Sequence, residues 1–438
     1  MHLVVTPSRA LQGEALIPGD KSISHRALIL GALAKGTSQI TGFLESEDCL
    51  ATLTILKQLG TNIIQQEKTL VIEGQGLHAF HASNSPLDCG NSGTSMRLLA
   101  GMLSAQAFKS TLVGDYSLSK RDMTRIVSPL QAMGANITGC QTEQQTLAPL
   151  TILPCQALQS IHYEMPVASA QVKSCLLIAG LYAKNETVIV EKEPSRDHTE
   201  RMLVHLGADL VCANNRILYR PTALSAKEIS VPGDMSSAAF FIAGASMTPG
   251  SHILLKGVGI NPTRLGLIHI LRAMGANIVF HHERLLGNEP VADIEVKGTT
   301  LHGIEVPRQW VVSAIDEFPV LFVVAAKALG ETRFTGLAEL RHKETDRIAT
   351  MAKGLQKLGV PLAILPDGII IRGSKMQGGI VNSEGDHRVA MAFAMAGLQA
   401  NEPITILNAK NIATSFPSFC NIAHFLGLKL TVHSEEKL

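Results

Sequence analysis

The residues best equipped for chemistry fall in short polar segments that recur along the chain, each leading into an apolar stretch. They are Lys21, Ser22 and Arg26; Asn91, Ser92, Gly93, Thr94 and Arg97; Ser169 and Gln171; Ser236 and Ser237; Asp316 and Glu317; and Asp386, His387 and Arg388. The stretches that follow are apolar nearly all round, the pattern of buried helices, so these residues are placed at helix N-termini. A helix N-terminus exposes unpaired N–H groups and a partial positive charge, and a ring of them attracts anions. Ser, Asp and Asn are also ordinary caps, and any single copy is explained by capping alone. Capping does not explain the cations. Lys21, Arg26, Arg97 and Arg388 sit where positive charge opposes the helix dipole, which makes sense if an anion shares the space.

Three more segments carry charge of this kind. GDYSLSKRDM (114–123) ends in Lys120 and Arg121. SRDHTERM (195–202) opens on Ser195 and Arg196. ELRHKETDRI (339–348) crowds Arg341, Lys343, Glu344, Asp346 and Arg347 together. Such a run is usually a solvated helix face. On a helix, Lys343 and Arg347 are four apart, share that face and could clamp one phosphate or carboxylate. Metal and nucleophile chemistry find little support. HHER (281–284) is not a zinc motif, the 16 histidines show no HExxH spacing, and neither a P-loop nor a GxSxG elbow occurs.

The elements that must hold these residues repeat. LQAMGANI (130–137) returns as LRAMGANI (271–278), with looser copies at 56–63, 203–210, 355–362 and 423–430. Each copy reads as the last turn of an amphipathic helix, a glycine in the left-handed capping position, and an apolar residue starting a strand. The apolar helices recur at a similar interval, so six units of about 70 residues each carry two helices and several strands. The first helix of each unit should be buried and the second should lie outside it. PGD at 18–20 returns at 232–234, about half a chain later, which suggests two halves of three units.

Composition agrees with a globular chain. The 438 residues suit two domains of about 200 residues. Hydrophobic residues are 46% and charged ones 17%, far from a disordered composition. A net charge of +1 and only 4% aromatics leave little to hold or stack nucleic acid. Seven scattered cysteines without a CxxC fit a reducing compartment. The start lacks a secretory signal and no apolar run is long enough for a membrane span, so a cytoplasmic location without membrane contact is expected.

GNSGTSMR, SLSKRDM, ELRHKETDRI and GDHRVAMAFA, with PGDKSISHRAL and SAQVKSCLL, together resemble the 5-enolpyruvylshikimate-3-phosphate (EPSP) synthase family over essentially the full length. The resemblance implies an α/β (α+β) fold, a two-domain inverse α/β barrel-like arrangement of six βαβαββ repeats, three per domain. Residues 1–19 plus 232–438 would form one domain and 20–231 the other, with the active site in the interdomain cleft. It implies transfer of enolpyruvyl from phosphoenolpyruvate to shikimate 3-phosphate, no cofactor or metal, and a monomer. Lys21, Ser22, Arg26, Ser169, Gln171, Ser195, Asp316 and Lys343 would hold shikimate 3-phosphate. Lys21, Gly93, Arg121, Gln171, Arg347 and Arg388 would hold phosphoenolpyruvate. Glu344 would exchange protons with the methylene carbon, Asp316 would take the hydroxyl proton, and Lys21 or His387 would protonate the bridging oxygen.

Two positions depart from patterns in the family. Thr414 stands where some members have a lysine contacting phosphoenolpyruvate, and Asp122 stands where many have proline. Alternatives are the sister enzyme that transfers enolpyruvyl to UDP-N-acetylglucosamine and a non-catalytic repeat scaffold. The sister family usually carries a cysteine, sometimes an aspartate, in the loop matching 114–121; GDYSLSKR has no cysteine and no aspartate beyond Asp115 at its start. A scaffold's helix-opening residues should be interchangeable between copies, and these are not.

Overall fold

The computed structural model describes residues 1–8, 10–155 and 157–434. The apolar stretches form six inner helices, numbered here α1 (Lys21–Leu33), α2 (Gly93–Leu103), α3 (Ala170–Gly180), α4 (Met235–Ser246), α5 (Phe318–Lys327) and α6 (His387–Ala396). Every residue of α4 is buried, and the others bury nearly all of theirs beyond the first turn. Outer helices at Glu47–Gln58, Thr124–Ala132, His198–His205, Gly266–Ala273, Arg347–Lys357 and Phe419–Phe425 bury one face each. The glycines after them, Gly60, Gly134, Gly207, Gly275, Gly359 and Gly427, all have φ between 79° and 101°. Only glycine adopts this conformation without strain, which is why it ends every copy of the repeated phrase.

Among the described residues, six small sheets accompany the helices. The second repeat shows the plan. Leu87–Asp88 runs parallel to Ser110–Val113 across α2, and Thr146–Leu153 then pairs antiparallel with both Ser110–Val113 and Asn136–Gln141. Two first strands are exchanged. Gln12–Leu16, just before α1, lies parallel to His252–Gly259 after α4, while Glu228–Ser230, just before α4, lies parallel to Lys35–Thr41 after α1. The last sheet takes its central strand from the N-terminus, where His2–Thr6 pairs with both Ile404–Leu407 and Lys429–His433. The fifth sheet has three strands, its first strand being reduced to isolated bridges at His302 and Glu305.

The chain divides into two compact units. One comprises Gly19–Val231 with Leu286–Glu289; the other comprises Met1–Pro18, Pro232–Leu285 and Pro290–Leu438. Helices α1–α3 belong to the first and α4–α6 to the second, and each unit has its own apolar core. Inner helices pack closely where glycine permits. A Cβ on Gly101 of α2 would lie 2.4 Å from the Cys175 carbonyl oxygen of α3, so no side chain fits there. Among the described residues no helix is long and apolar enough to cross a membrane.

Candidate active site

Five of the six inner helices are capped by their own side chains. Asp20 accepts from Ile23 N, Ser92 from Ser95 N, Ser169 from Val172 N, Asp234 from Ser236 N, and Asp386 from Arg388 N. Helix α5 instead begins with Pro319 in its first turn. Ser169 and Asp386, singled out for chemistry, therefore also set the helix start that positions their neighbours.

The unit around α1–α3 holds Lys21, Arg26, Arg97 and Arg121. Lys21 Nζ lies 3.0 Å from Asp48 Oδ2. Arg26 is buried and donates to Thr199 Oγ1 at 2.6 Å, Ser174 Oγ at 2.7 Å and the Ser22 carbonyl at 2.9 Å. Burial lowers the Arg26 pKa to about 10, with Glu200 and Asp20 opposing the shift. A guanidinium held by neutral oxygens in a buried place is a strong potential partner for an anion. At the start of α2, a Cβ on Gly93 would meet Arg121 Nη1 at 3.0 Å and Arg97 Nη1 at 3.1 Å. The absent side chain is what lets two guanidiniums converge on the helix N-terminus. Arg97 also donates to Gln171 Oε1 and to the Asp122 carbonyl, and Gln171 Nε2 donates to Thr94 Oγ1 at 2.9 Å.

The loop carrying Arg121 is shaped by aspartates. Asp115 accepts from Leu118 N at 2.8 Å and from Asn91 Nδ2 at 2.7 Å. Asp122 accepts from Thr124 N, at the first residue of the next helix, at 2.8 Å, which gives this residue a local role. Ser195 is tied inward: its N–H donates to Glu191 Oε1 at 3.1 Å and its hydroxyl donates to the same oxygen.

In the unit around α4–α6, charges of both signs are packed together. Arg347 is fully buried, and its Nε donates to Asp386 Oδ2 at 2.8 Å while Nη2 donates to Glu344 Oε2 at 2.6 Å. Its Nη1 lies 3.5 Å from Asp316 Oδ1, and Lys343 Nζ reaches the same oxygen at 3.5 Å. Burial works against the Arg347 charge, but Asp386, Glu344 and Asp316 outweigh it and hold the pKa above its ordinary value. Arg388 Nη1 donates to the Asp316 carbonyl at 3.2 Å and lies 3.8 Å from Glu317 Oε1. His387 is buried at the first turn of α6. Thr414 spends its hydroxyl on the Asn411 carbonyl at 2.7 Å, closing its own turn.

The charge run is not one helical face. Ala338–His342 is a 3-10 turn, Asp346 caps the helix Arg347–Lys357 through Ala349 N, and Lys343 precedes that helix. Lys343 and Arg347 meet at Asp316 because the chain bends between them.

Of the candidates, Gly93, Arg97, Arg121 and Gln171 come together in one unit, as do Asp316, Lys343, Glu344, Arg347 and Arg388 in the other. Lys173, Glu191 and Glu200 were not anticipated. Their signal was a lysine inside the apolar helix sequence AQVKSCLLIAG, a charge that must find a buried partner.

The EPSP synthase (3-phosphoshikimate 1-carboxyvinyltransferase) family model matches residues 5–422. The chain belongs to this family. It is 52% identical over 428 residues to a 3-phosphoshikimate 1-carboxyvinyltransferase of Methylococcus capsulatus, covering 97% of each chain. It is 50% identical over 436 residues to one of Legionella pneumophila, covering 99% of this chain and 100% of that one. The solved EPSP synthase of Acinetobacter baumannii superposes with a TM-score of 0.88 at 48% identity, covering 99% of this chain and 100% of that one. The expected family and the α/β fold are thereby established.

Proposed function

We infer that this chain transfers the enolpyruvyl group of phosphoenolpyruvate to the 5-hydroxyl of shikimate 3-phosphate, releasing phosphate, as a step of the shikimate pathway. Family membership over nearly the whole chain carries the reaction. The charged cluster around Arg347 supports the assignment of roles. The hydroxyl oxygen adds to C2 of phosphoenolpyruvate while C3 gains a proton, giving a tetrahedral phospho-ketal. Phosphate then leaves C2 as C3 returns a proton, so the two steps restore the vinyl group and need no net proton at carbon.

Glu344 and Asp316 are assigned the proton transfers. Each carboxylate touches Arg347, Glu344 at 2.6 Å and Asp316 at 3.5 Å, and each keeps partial exposure. The longer Asp316 contact is the one a substrate anion would replace. Arg347 and Arg388, with Lys21, Gly93, Arg121 and Gln171, are assigned to phosphoenolpyruvate. Lys21, Ser22, Arg26, Ser169, Gln171, Ser195, Asp316 and Lys343 are assigned to shikimate 3-phosphate. Lys21 or His387 protonates the bridging oxygen as phosphate leaves. Fixed cations of this kind stabilise the charge that develops as phosphate departs. The enzyme is taken to act in the cytoplasm as a monomer, which size-exclusion chromatography tests in part.

The roles are tested by single-turnover kinetics of Glu344→Gln and Asp316→Asn. General acid–base groups contribute about 10²- to 10⁴-fold. Each variant should therefore lose at least about 10²-fold in kcat while still binding shikimate 3-phosphate. A loss under about threefold in either variant would remove that residue from proton transfer.

A further inference from the structure

Lys173 sits in the inner helix α3 and is 1% exposed. Its ammonium reaches Glu200 Oε1 at 2.7 Å, Glu191 Oε2 at 2.9 Å and the Ser195 carbonyl at 3.2 Å. The second oxygen of Glu191 accepts from the Ser195 N–H and hydroxyl. Lys173 and Glu191 thus hold all three polar groups of Ser195. The other arm runs through Glu200 to the helix His198–His205. There Thr199, beside Glu200, accepts from Arg26 Nε at 2.6 Å and bonds Ser174 Oγ at 2.6 Å; Ser174, next to Lys173, accepts from Arg26 Nη2.

Stability alone gives little reason for this arrangement. Three charges are taken out of water, and replacing such buried ions by packed apolar side chains is often neutral or stabilising. What the ions supply is position: their two arms end on Ser195 and Arg26, both assigned to shikimate 3-phosphate. Neither arm ends on a residue assigned only to phosphoenolpyruvate. We propose that Lys173 is a positioning residue that sets the affinity for shikimate 3-phosphate by fixing Ser195 and Arg26. The proposal rests on the assignment of Arg26 and Ser195 to that substrate.

The test compares Lys173→Met, the double variant Lys173→Met with Glu200→Gln, and Arg26→Ala as a reference. The double variant keeps the net charge of the triad, since +1 −1 −1 and 0 + 0 − 1 both equal −1, and so protects folding if the single variant fails. For each folded variant, calorimetry gives the shikimate 3-phosphate Kd, and phosphate release gives kcat and the KM of each substrate. The expected result is a rise of at least about tenfold in the shikimate 3-phosphate Kd and KM. The phosphoenolpyruvate KM should stay within about threefold. An unchanged shikimate 3-phosphate Kd in the double variant, or an equal rise in both KM values, overturns the proposal. If Arg26→Ala also leaves that Kd unchanged, the substrate assignment itself falls and takes this inference with it. If Arg26→Ala weakens binding and the Lys173 variants do not, only the positioning role is lost.

Discussion

Asp386 is the most informative single position for the energetics of the candidate site. It is fully buried, accepts from Arg388 N at 2.9 Å as the cap of α6, and accepts from Arg347 Nε at 2.8 Å. Asp386→Asn retains a capping oxygen and removes the charge, while Asp386→Ala removes both. Removing one partner of a buried ion pair costs about 3–5 kcal/mol. Arg347 keeps Glu344 at 2.6 Å and Asp316 at 3.5 Å, so the lower end, about 3 kcal/mol, is expected for Asp386→Asn. Losing the cap as well should add about 1 kcal/mol in Asp386→Ala. The chain has a single tryptophan, Trp310, in the same unit and stacked on His269 at 5.8 Å between ring centroids. Its fluorescence during urea denaturation therefore reports on the affected unit. A loss below about 0.5 kcal/mol in Asp386→Asn would refute the claim that this carboxylate is a principal counter-charge of Arg347. Equal losses in the two variants would refute the capping contribution.

Three further outcomes follow from the geometry. Gly93→Ala should fold normally, because the atoms its Cβ would crowd are the guanidinium ends of Arg97 and Arg121, with Leu118 Cδ1 at an ordinary 3.7 Å, but should raise the phosphoenolpyruvate KM several-fold; unchanged steady-state kinetics would contradict the convergence of these guanidiniums on Gly93. Gly101→Ala should destabilise its unit by about 1–3 kcal/mol, because the Cβ would meet the Cys175 carbonyl at 2.4 Å, and an unchanged thermal midpoint would contradict that packing. Burial, with Lys21 and Arg26 adding to it and Asp20 opposing, holds the His25 pKa well below 6.5. The unfolded chain then takes up a proton below about pH 6.5 that the folded chain refuses, so stability falls as pH drops from there, by about 1.4 kcal/mol per unit, until the folded imidazole protonates. His25→Asn should flatten that part of the stability–pH curve, and an unchanged slope would contradict the assignment.

The repeated phrases made much of the architecture legible. Helix-ending glycines and apolar helices are local features, set by backbone conformation and by periodicity, and they stand in the structure where the repeats placed them. The exchanged strands were not legible. QGEAL (12–16) and EIS (228–230) carry too few apolar residues to announce a partner, and their pairing is chosen by chain path. Within the site, residue types were visible but their partners were not. Arg26 meets Thr199 across 173 residues, and Arg347 meets Asp386 across 39. Spacing along one helix suggested that Lys343 and Arg347 share a face, yet the Asp346 cap starts the helix after Lys343. Contacts between repeats depend on packing that no local pattern encodes.

The central claim is the identity of the acceptor, and phosphate release tests it most directly. Purified protein with phosphoenolpyruvate should release phosphate when shikimate 3-phosphate is added, and should stay silent with UDP-N-acetylglucosamine. Release with the UDP-sugar and none with shikimate 3-phosphate would contradict the account.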